Sequence, residues 1–542
     1  MMRGVTPILC ALCLVIILPF LFWRPGRNSS SAQDQLVIIS PHNEAIRFEF
    51  TRAFTQYYQK LTGRTVHIEW RLPGGTTEIV RFLNSEFEAS FRDYWVNRLK
   101  RSWNHEVLDG FANSRLRGDV DEGSDAERAR FTFLHSNVGS DIDLLFGGGS
   151  FDFINMADRG LLVDSGVLRQ FPELFSGMGD LSIPRSLGGE PYWDPQGRWI
   201  GVCLSDFGIC YNTDSLKRLE MSAPPTEWID LADERLFNAI ALADPTKSGS
   251  VAKAFELIIQ QQMNQRLAEL VANQRNRSQA EVTMQAVSEG WERGLQLLIR
   301  LAANSRYFSD SASKIPVDVA YGEAAAGMCI DFYGRFESEA VMAKNGQSRL
   351  KYVGVVGGTS VGADSIALLR GAPHPAVAKA FIDFLLKPEG QKLWDFRVGT
   401  PGGPVRFALR RLPIRREFYR APLQAWMADS NVDPYRAGAA FQYHEAWTAP
   451  LFSVIRFLVQ VMCIDARDEL VEARRTIGDK PVDSPAFEKL IDVSSVRYDV
   501  AMHQIRDTLR SADRLKEVQL AEKLTAYFRN QYRDAEKMAL SK

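Results

Sequence analysis

The sequence predicts an α/β protein of layered sheets with helices on their faces, followed by an all-helical extension. Short apolar runs of strand type alternate with amphipathic helical stretches from Leu36 to Leu386. Strand signals cease beyond about Asp433. The chain of 542 residues also exceeds the roughly 250–300 at which one hydrophobic core stops growing, so several domains are expected.

Residues 36–40 (LVIIS) read as a strand that leads through Pro41-His42-Asn43 into a helix. That helix carries Ile46, Phe50, Phe54, Tyr57 and Leu61 at helical spacing and is stopped by Gly63. Val66, Ile68 and Trp70 alternate with polar residues as a second strand does, and Gly74-Gly75-Thr76-Thr77 opens the next helix. Residues 86–135 are rich in charge and read as an insertion on the surface. Strand character returns at 141–146, before Gly147-Gly148-Gly149-Ser150 and a short helix. Strands at 199–204, 207–211 and 240–243 follow, then the loop 244–250 (DPTKSGS) and a helix from Val251. Further on come a small-residue helix ending at 322–327, strands at 328–333, 352–356 and 365–369, and a helix over 375–386. In the last hundred residues apolar side chains recur at helical spacing, as in Phe452, Ile455, Leu458 and Met462.

Lys and Arg total 65 against 66 Asp and Glu, a net charge of −1, which lacks the basic excess of a nucleic-acid binder. With 45% hydrophobic and 24% charged residues, wholesale disorder and a polytopic membrane protein are excluded. Of six cysteines, Cys10 and Cys13 lie in an N-terminal apolar run, and Cys203, Cys210, Cys329 and Cys463 have no CxxC spacing. Those four are expected to be buried small hydrophobes, not a zinc site or a disulfide framework. Residues 6–23 carry no charge, and Arg24 and Arg27 follow where a cleavage site would disfavour charge. Residues 1–28 are therefore expected to be an uncleaved membrane anchor in preference to a cleaved signal, with an orientation that Arg3 on one side and Arg24 and Arg27 on the other leave undecided.

Ligands of open α/β sheets sit where strand ends feed helix N-termini, whose free N–H groups attract anions. Four loops combine that position with Gly, hydroxyl or amide groups: 40–43, 74–77, 148–150 and 247–250. They nominate His42, Asn43, Gly75, Thr76, Gly149, Ser150, Ser248, Gly249 and Ser250. Two enzyme motifs compete. Gly358-Thr359-Ser360-Val361-Gly362 fits the nucleophile elbow, but the elbow must open a helix and residues 363–370 read as a strand. Ser250-Val251-Ala252-Lys253 fits S-x-x-K without its companion motifs. A serine hydrolase using Ser360 or Ser250 is the rival reading, and a non-catalytic binding protein the leading one.

The segments SPHNEAIRFEFTRAF (40–54), YNTDSL (211–216), PPTEWIDLADERL (224–236), DPTKSGS (244–250), GEAAAGMCIDFYGR (322–335) and KPEGQKLW (387–394) follow a familiar order. Together they make the chain resemble the extracytoplasmic solute-binding proteins of ABC importers, the group that binds ferric iron or phosphorylated compounds. The resemblance implies a two-lobed type II periplasmic-binding-protein fold with a hinge of crossover strands. Lobe 1 would comprise 36–203 and 357–432, lobe 2 would comprise 204–356, and 433–542 would be a helical extension that the resemblance leaves unexplained. It also implies a small anionic ligand, a phosphorylated compound or a ferric complex, and an ABC permease as partner. In the iron binders an early histidine and two adjacent tyrosines hold Fe³⁺ beside a bound anion. His42 and Tyr333 match the metal positions, but Phe332 stands where the other tyrosine is expected, and phenylalanine offers a hard cation no oxygen. The alternative to delivery is a ligand sensor or scaffold acting through the helical tail.

Overall fold

The computed structural model describes residues 32–118, 123–177, 179–273, 277–511 and 513–541. The chain first lays down β1 (Asp34–Ile39), α1 (Glu44–Thr62), β2 (Val66–Arg71), α2 (Thr76–Asp93), β3 (Leu144–Gly149), α3 (Ser150–Asp158) and β4 (Ile200–Ser205). It then builds β5 (Phe207–Asn212), β6 (Ile240–Ala243), α4 (Gly249–Asn273), α5 (Gln279–Asn304), β7 (Ser305–Ser309), β8 (Ala326–Ile330), α6 (Asp331–Ala340) and β9 (Leu350–Gly354). Returning, it adds β10 (Gly362–Leu369) and β11 (Leu412–Pro413), and ends in helices that include α7 (Phe452–Val459) and α8 (Arg514–Leu540). The strands form two mixed sheets, ordered β11-β4-β10-β3-β1-β2 and β7-β6-β8-β5-β9. The chain thus passes from one sheet to the other between Ser205 and Phe207 and comes back between Gly354 and Gly362, and after β11 the extension crosses once more to the second lobe's core.

The first sheet is buried on both faces. Along β1, Leu36 and Ile38 point into a core with Phe50, Phe54, Phe146, Phe381 and Trp394, while Val37 and Ile39 point to the opposite core with Leu83, Phe87 and Phe133. Residues 86–135 supply much of that second core through Phe87, Phe91, Trp95, Val107, Phe111 and Phe133. Their charges mark the outer side of a segment whose inner side is apolar. The second lobe has one core, in which β5, β6, β8, α4 and α5 share buried contacts with the extension's Leu451, Ile455, Leu458, Phe487, Phe528 and Tyr532.

Helices α4 and α5 pack closely because glycines face the contact. A Cβ on Gly290 would lie 2.3 Å from the Met263 Cα, and one on Gly294 would lie 2.8 Å from the Ile259 Cα. Gly290→Val is expected to destabilise the protein by about 1–3 kcal/mol or more through overpacking, read as a lower urea midpoint.

Three expectations are corrected. The strand expected over 328–333 ends at Ile330, and Asp331 to Tyr333 open α6 instead. Strand alternation therefore does not aim Asp331: its carboxylate lies 3.0 Å from Arg335 one turn along the same helix. The small-residue helix stops at Tyr321, where Gly322 takes φ 80° as its C-cap, and Ala326 is already in a strand. The N-terminal anchor is the third. Among the described residues, the one helix long and apolar enough to cross a membrane is Glu445–Ile464, far from the N-terminus, and most of it is buried. Its residues Leu451, Val454, Ile455 and Leu458 belong to the second lobe's core, so it is a core element despite its composition. Residues 1–28, with Cys10 and Cys13, lie outside the described residues, and no anchor is assigned. The other four cysteines are free and buried.

Candidate functional site

A cleft of about 750 Å³ lies between the two sheets, and all ten residues named from the sequence, from His42 to Tyr333, line it. Their placement follows from helix starts. α2 begins after Gly75 and α3 after Gly149, and neither N-cap makes a side-chain hydrogen bond to its helix. At α4, the Ser248 hydroxyl accepts from the Val251 N–H at 3.4 Å, which leaves the N–H groups of the other first-turn residues outside that cap. Three helix N-termini thus open on one cleft, two from the first lobe and one from the second. Asn43 has a different job: its side chain caps α1 by accepting from the Ile46 N–H. Gly147 and Gly148 adopt φ 104° and 120°, and a Cβ on either would come within 2.8 Å of His42 or Thr76, so the loop tolerates only glycine.

The lobes approach closely at these helix starts. A Cβ on Gly75 would stand 3.3 Å from the Lys247 carbonyl, and one on Gly249 would stand 3.1 Å from the Asp152 carboxylate.

Behind the loops runs a buried chain of charge. Asp364 accepts from the Gly148 N–H, from His42 Nε2 at 3.1 Å and from the Arg411 guanidinium. Burial, reinforced by the Arg411 charge, pushes the His42 pKa well down. The imidazole is thus neutral, donates its Nε2 hydrogen to the carboxylate and keeps Nδ1 without a partner. Arg411 lies flat against Phe332, its guanidinium carbon 3.6 Å from the ring centre. Burial raises the Tyr333 pKa, so this phenol enters the cleft as a neutral donor.

The cleft also holds carboxylates. Glu78 folds back over Gly74 and Gly75 at the start of α2, and Asp152 lies in the first turn of α3, where burial pushes it up to about 6. Asp310 and Glu337 stand on the second-lobe side, and Lys247 adds a cation between Thr246 and Ser248. A bound solute therefore meets hydrogen-bond acceptors as well as helix N-termini.

Ser360 lines the cleft but donates to Glu190 Oε1 at 2.7 Å. Lys253 lies 2.9 Å from Glu190 and 3.0 Å from Glu256, and these carboxylates more than offset its burial, so it stays protonated and is no base. Ser360 is thus engaged with a buried carboxylate, and Lys253, the lysine of the S-x-x-K match, is held as a cation between two carboxylates.

Sequence reasoning missed Asp364, Arg411 and Glu190, and it named Lys253 in the S-x-x-K match and Phe452 on a tail helix without placing either in the cleft wall, where all five lie. Lys253 had a local signal, since it falls one helical turn before Glu256 on α4. Asp364 and Arg411 had none: Asp364 meets His42 across 322 residues of sequence and Gly148 across 216, and Arg411 meets Asp364 47 residues away.

Residues 146–406 match the family model described as bacterial extracellular solute-binding protein. An uncharacterized protein of Haemophilus influenzae is 26% identical over 192 residues, 35% of this chain and 46% of that protein. The phosphoglycerate transport regulatory protein PgtC of Salmonella typhimurium is 22% identical over 194 residues, 36% of this chain and 40% of that protein. The chain thus spans less than half the length of these curated relatives. Among solved structures, the periplasmic binding protein AfuA of Actinobacillus pleuropneumoniae, with exogenous fructose-6-phosphate bound, is 18% identical, covers 76% of this chain and 95% of its own, and has a TM-score of 0.43. Iron-bound HitA of Pseudomonas aeruginosa is 15% identical, covers 78% and 98%, and has a TM-score of 0.44.

Proposed function

We propose, from the match of residues 146–406 to the model of bacterial extracellular solute-binding proteins, that this chain captures a small anionic solute in its interlobe cleft, outside the cytoplasm, and presents it to an ABC permease. The observation that carries the reading is the convergence of the α2, α3 and α4 N-termini on one cleft beside Lys247. The ligand's anionic group would lie against these N–H groups. Glu78, Asp152 and Asp310 would accept from hydroxyl or amine groups elsewhere on it, which favours a phosphorylated compound bearing several donors over a bare anion.

The donor set fits a ferric ion poorly. His42 already donates its Nε2 hydrogen to Asp364, Phe332 carries no oxygen, Tyr333 holds its proton, and Asp331 is engaged with Arg335. Among the described residues no three His, Cys, Asp or Glu side chains are grouped as a metal site. The Arg411 guanidinium, stacked on Phe332, also places a fixed positive charge where a metal would need anionic donors. A ligand sensor is the second reading, favoured by the name of the Salmonella relative, a transport regulatory protein.

Thermal melting with phosphorylated small molecules, their unphosphorylated counterparts and ferric citrate tests the proposal. A phosphorylated ligand at 100 times its Kd should add about 2.7 kcal/mol of stability, and its unphosphorylated counterpart far less. A shift with ferric citrate alone, or none with any phosphorylated compound, would overturn it.

A further inference from the structure

The extension does not sit on one lobe. From 438 to 456 it runs across the junction of both. Gly438 packs within van der Waals reach of Leu187 and Val361, and the Tyr443 N–H donates to the Gly188 carbonyl at 2.6 Å, both contacts with the first lobe's side. In the same few residues, Gln260 of α4 donates to the His444 carbonyl at 2.9 Å, Asn264 donates to the Gln442 carbonyl at 2.8 Å, and Tyr443 donates to Glu256 at 2.9 Å.

Helix α7 repeats the pattern with its two faces. Leu451, Val454, Ile455 and Leu458 are buried in the second lobe's core. Phe452 and Arg456, one turn apart on the other face, reach outward. Phe452 packs on Phe151 of α3 with ring centres 4.3 Å apart, and it lines the ligand cleft. Arg456 donates to the Thr246 carbonyl at 2.8 Å and, at 3.4 Å, to the hydroxyl of Thr77 in the first turn of α2. It thereby ties the loop before α4 to the start of α2 without an ion pair of its own.

We infer that the extension is a third wall of the ligand cleft and a brace between the lobes, holding the cleft at one aperture, with Phe452 as its ligand-facing side chain and Arg456 as its cross-lobe tie. Naming the cleft as the ligand site rests on the function proposed above; the brace does not. A braced cleft selects solutes by fixed size rather than by wide hinge opening, and Phe452 sets one of its limits.

The test needs no ligand. Spin labels at Lys60→Cys and Lys344→Cys, both exposed and one in each lobe, report the interlobe distance by electron double resonance, with Cys10 and Cys13 changed to serine. The four remaining cysteines are buried. The brace predicts one narrow distance distribution in the ligand-free protein, and at least a twofold broadening in the Phe452→Ala, Arg456→Ala variant. A broad or two-peaked distribution in the parent overturns the inference whether or not the variant folds. An unchanged width in a folded variant overturns it too. Neither result bears on whether the cleft takes an anionic solute, which the melting panel decides separately.

Discussion

Asp364→Ala should be among the most damaging single substitutions in the first lobe, costing about 3–5 kcal/mol, because it strands a buried opposite charge. Asp364 is the shared acceptor for His42, Arg411 and the Gly148 N–H. Arg411 is 5% exposed, and besides Asp364 its guanidinium meets the Phe332 face, a long contact to Cys203 and the more distant Trp394 ring. Removing the carboxylate therefore leaves a largely desolvated guanidinium without its ion-pair partner, an orphaned imidazole N–H and an orphaned amide in the loop that starts α3. Urea denaturation followed by tryptophan fluorescence should show the loss. The double variant Asp364→Ala, Arg411→Met should recover most of it, since replacing both members of a buried pair is far milder than removing one. If the double variant is as unstable as the single, the charge account fails and the damage lies in the loop geometry.

Lys253→Met should be comparably severe, again about 3–5 kcal/mol near neutral pH, and should differ in its pH dependence. Glu190 and Glu256 are 2% and 0% exposed, and the ammonium lies between them. Without it, two buried carboxylates lose their cation, and folding favours their protonated forms. Acid removes that stranded negative charge, so the variant loses stability relative to the parent as pH rises toward neutrality. The deficit against the parent should shrink on acidification from pH 7 to pH 5 and widen on return. A deficit that is constant with pH would mean that the lost aliphatic packing, including the Lys253 contact 3.3 Å above the Tyr443 ring, dominates.

Much of the fold was legible because it depends on local periodicity. The apolar run at 36–40, the alternation in 66–70, the helical spacing of Ile46, Phe50 and Phe54, and the glycines at the starts of α2, α3 and α4 each act within about ten residues. The ligand loops were legible for the same reason, since a helix start announces itself in its own sequence. Elements that depend on distant partners were not. Nothing near Arg411 shows that β11 brings it to Asp364, and nothing near Phe452 shows that it crosses to α3. The strand assigned to 328–333 failed on a local signal that was available: Asp331 followed four residues later by Arg335 is a helical pairing, with the acid in the first turn. The helical spacing of Phe452, Ile455 and Leu458 made α7 legible too, but did not show that Arg456 on it reaches the other lobe.

The merged core of the second lobe has a consequence for biosynthesis. Residues from Ile209 to Ala535 close around one another there, so a nascent chain that has emerged only as far as α5 presents Ile259, Leu295 and Leu298 with part of their packing still untranslated. The first lobe needs nothing beyond Tyr435 to complete its main core. Synthesis therefore leaves the second lobe apolar and unfinished until the residues around Phe528 to Ala535 have been added, the interval in which such surfaces associate wrongly. A premature stop near residue 500 should for this reason yield an aggregating chain, not a shorter binding protein.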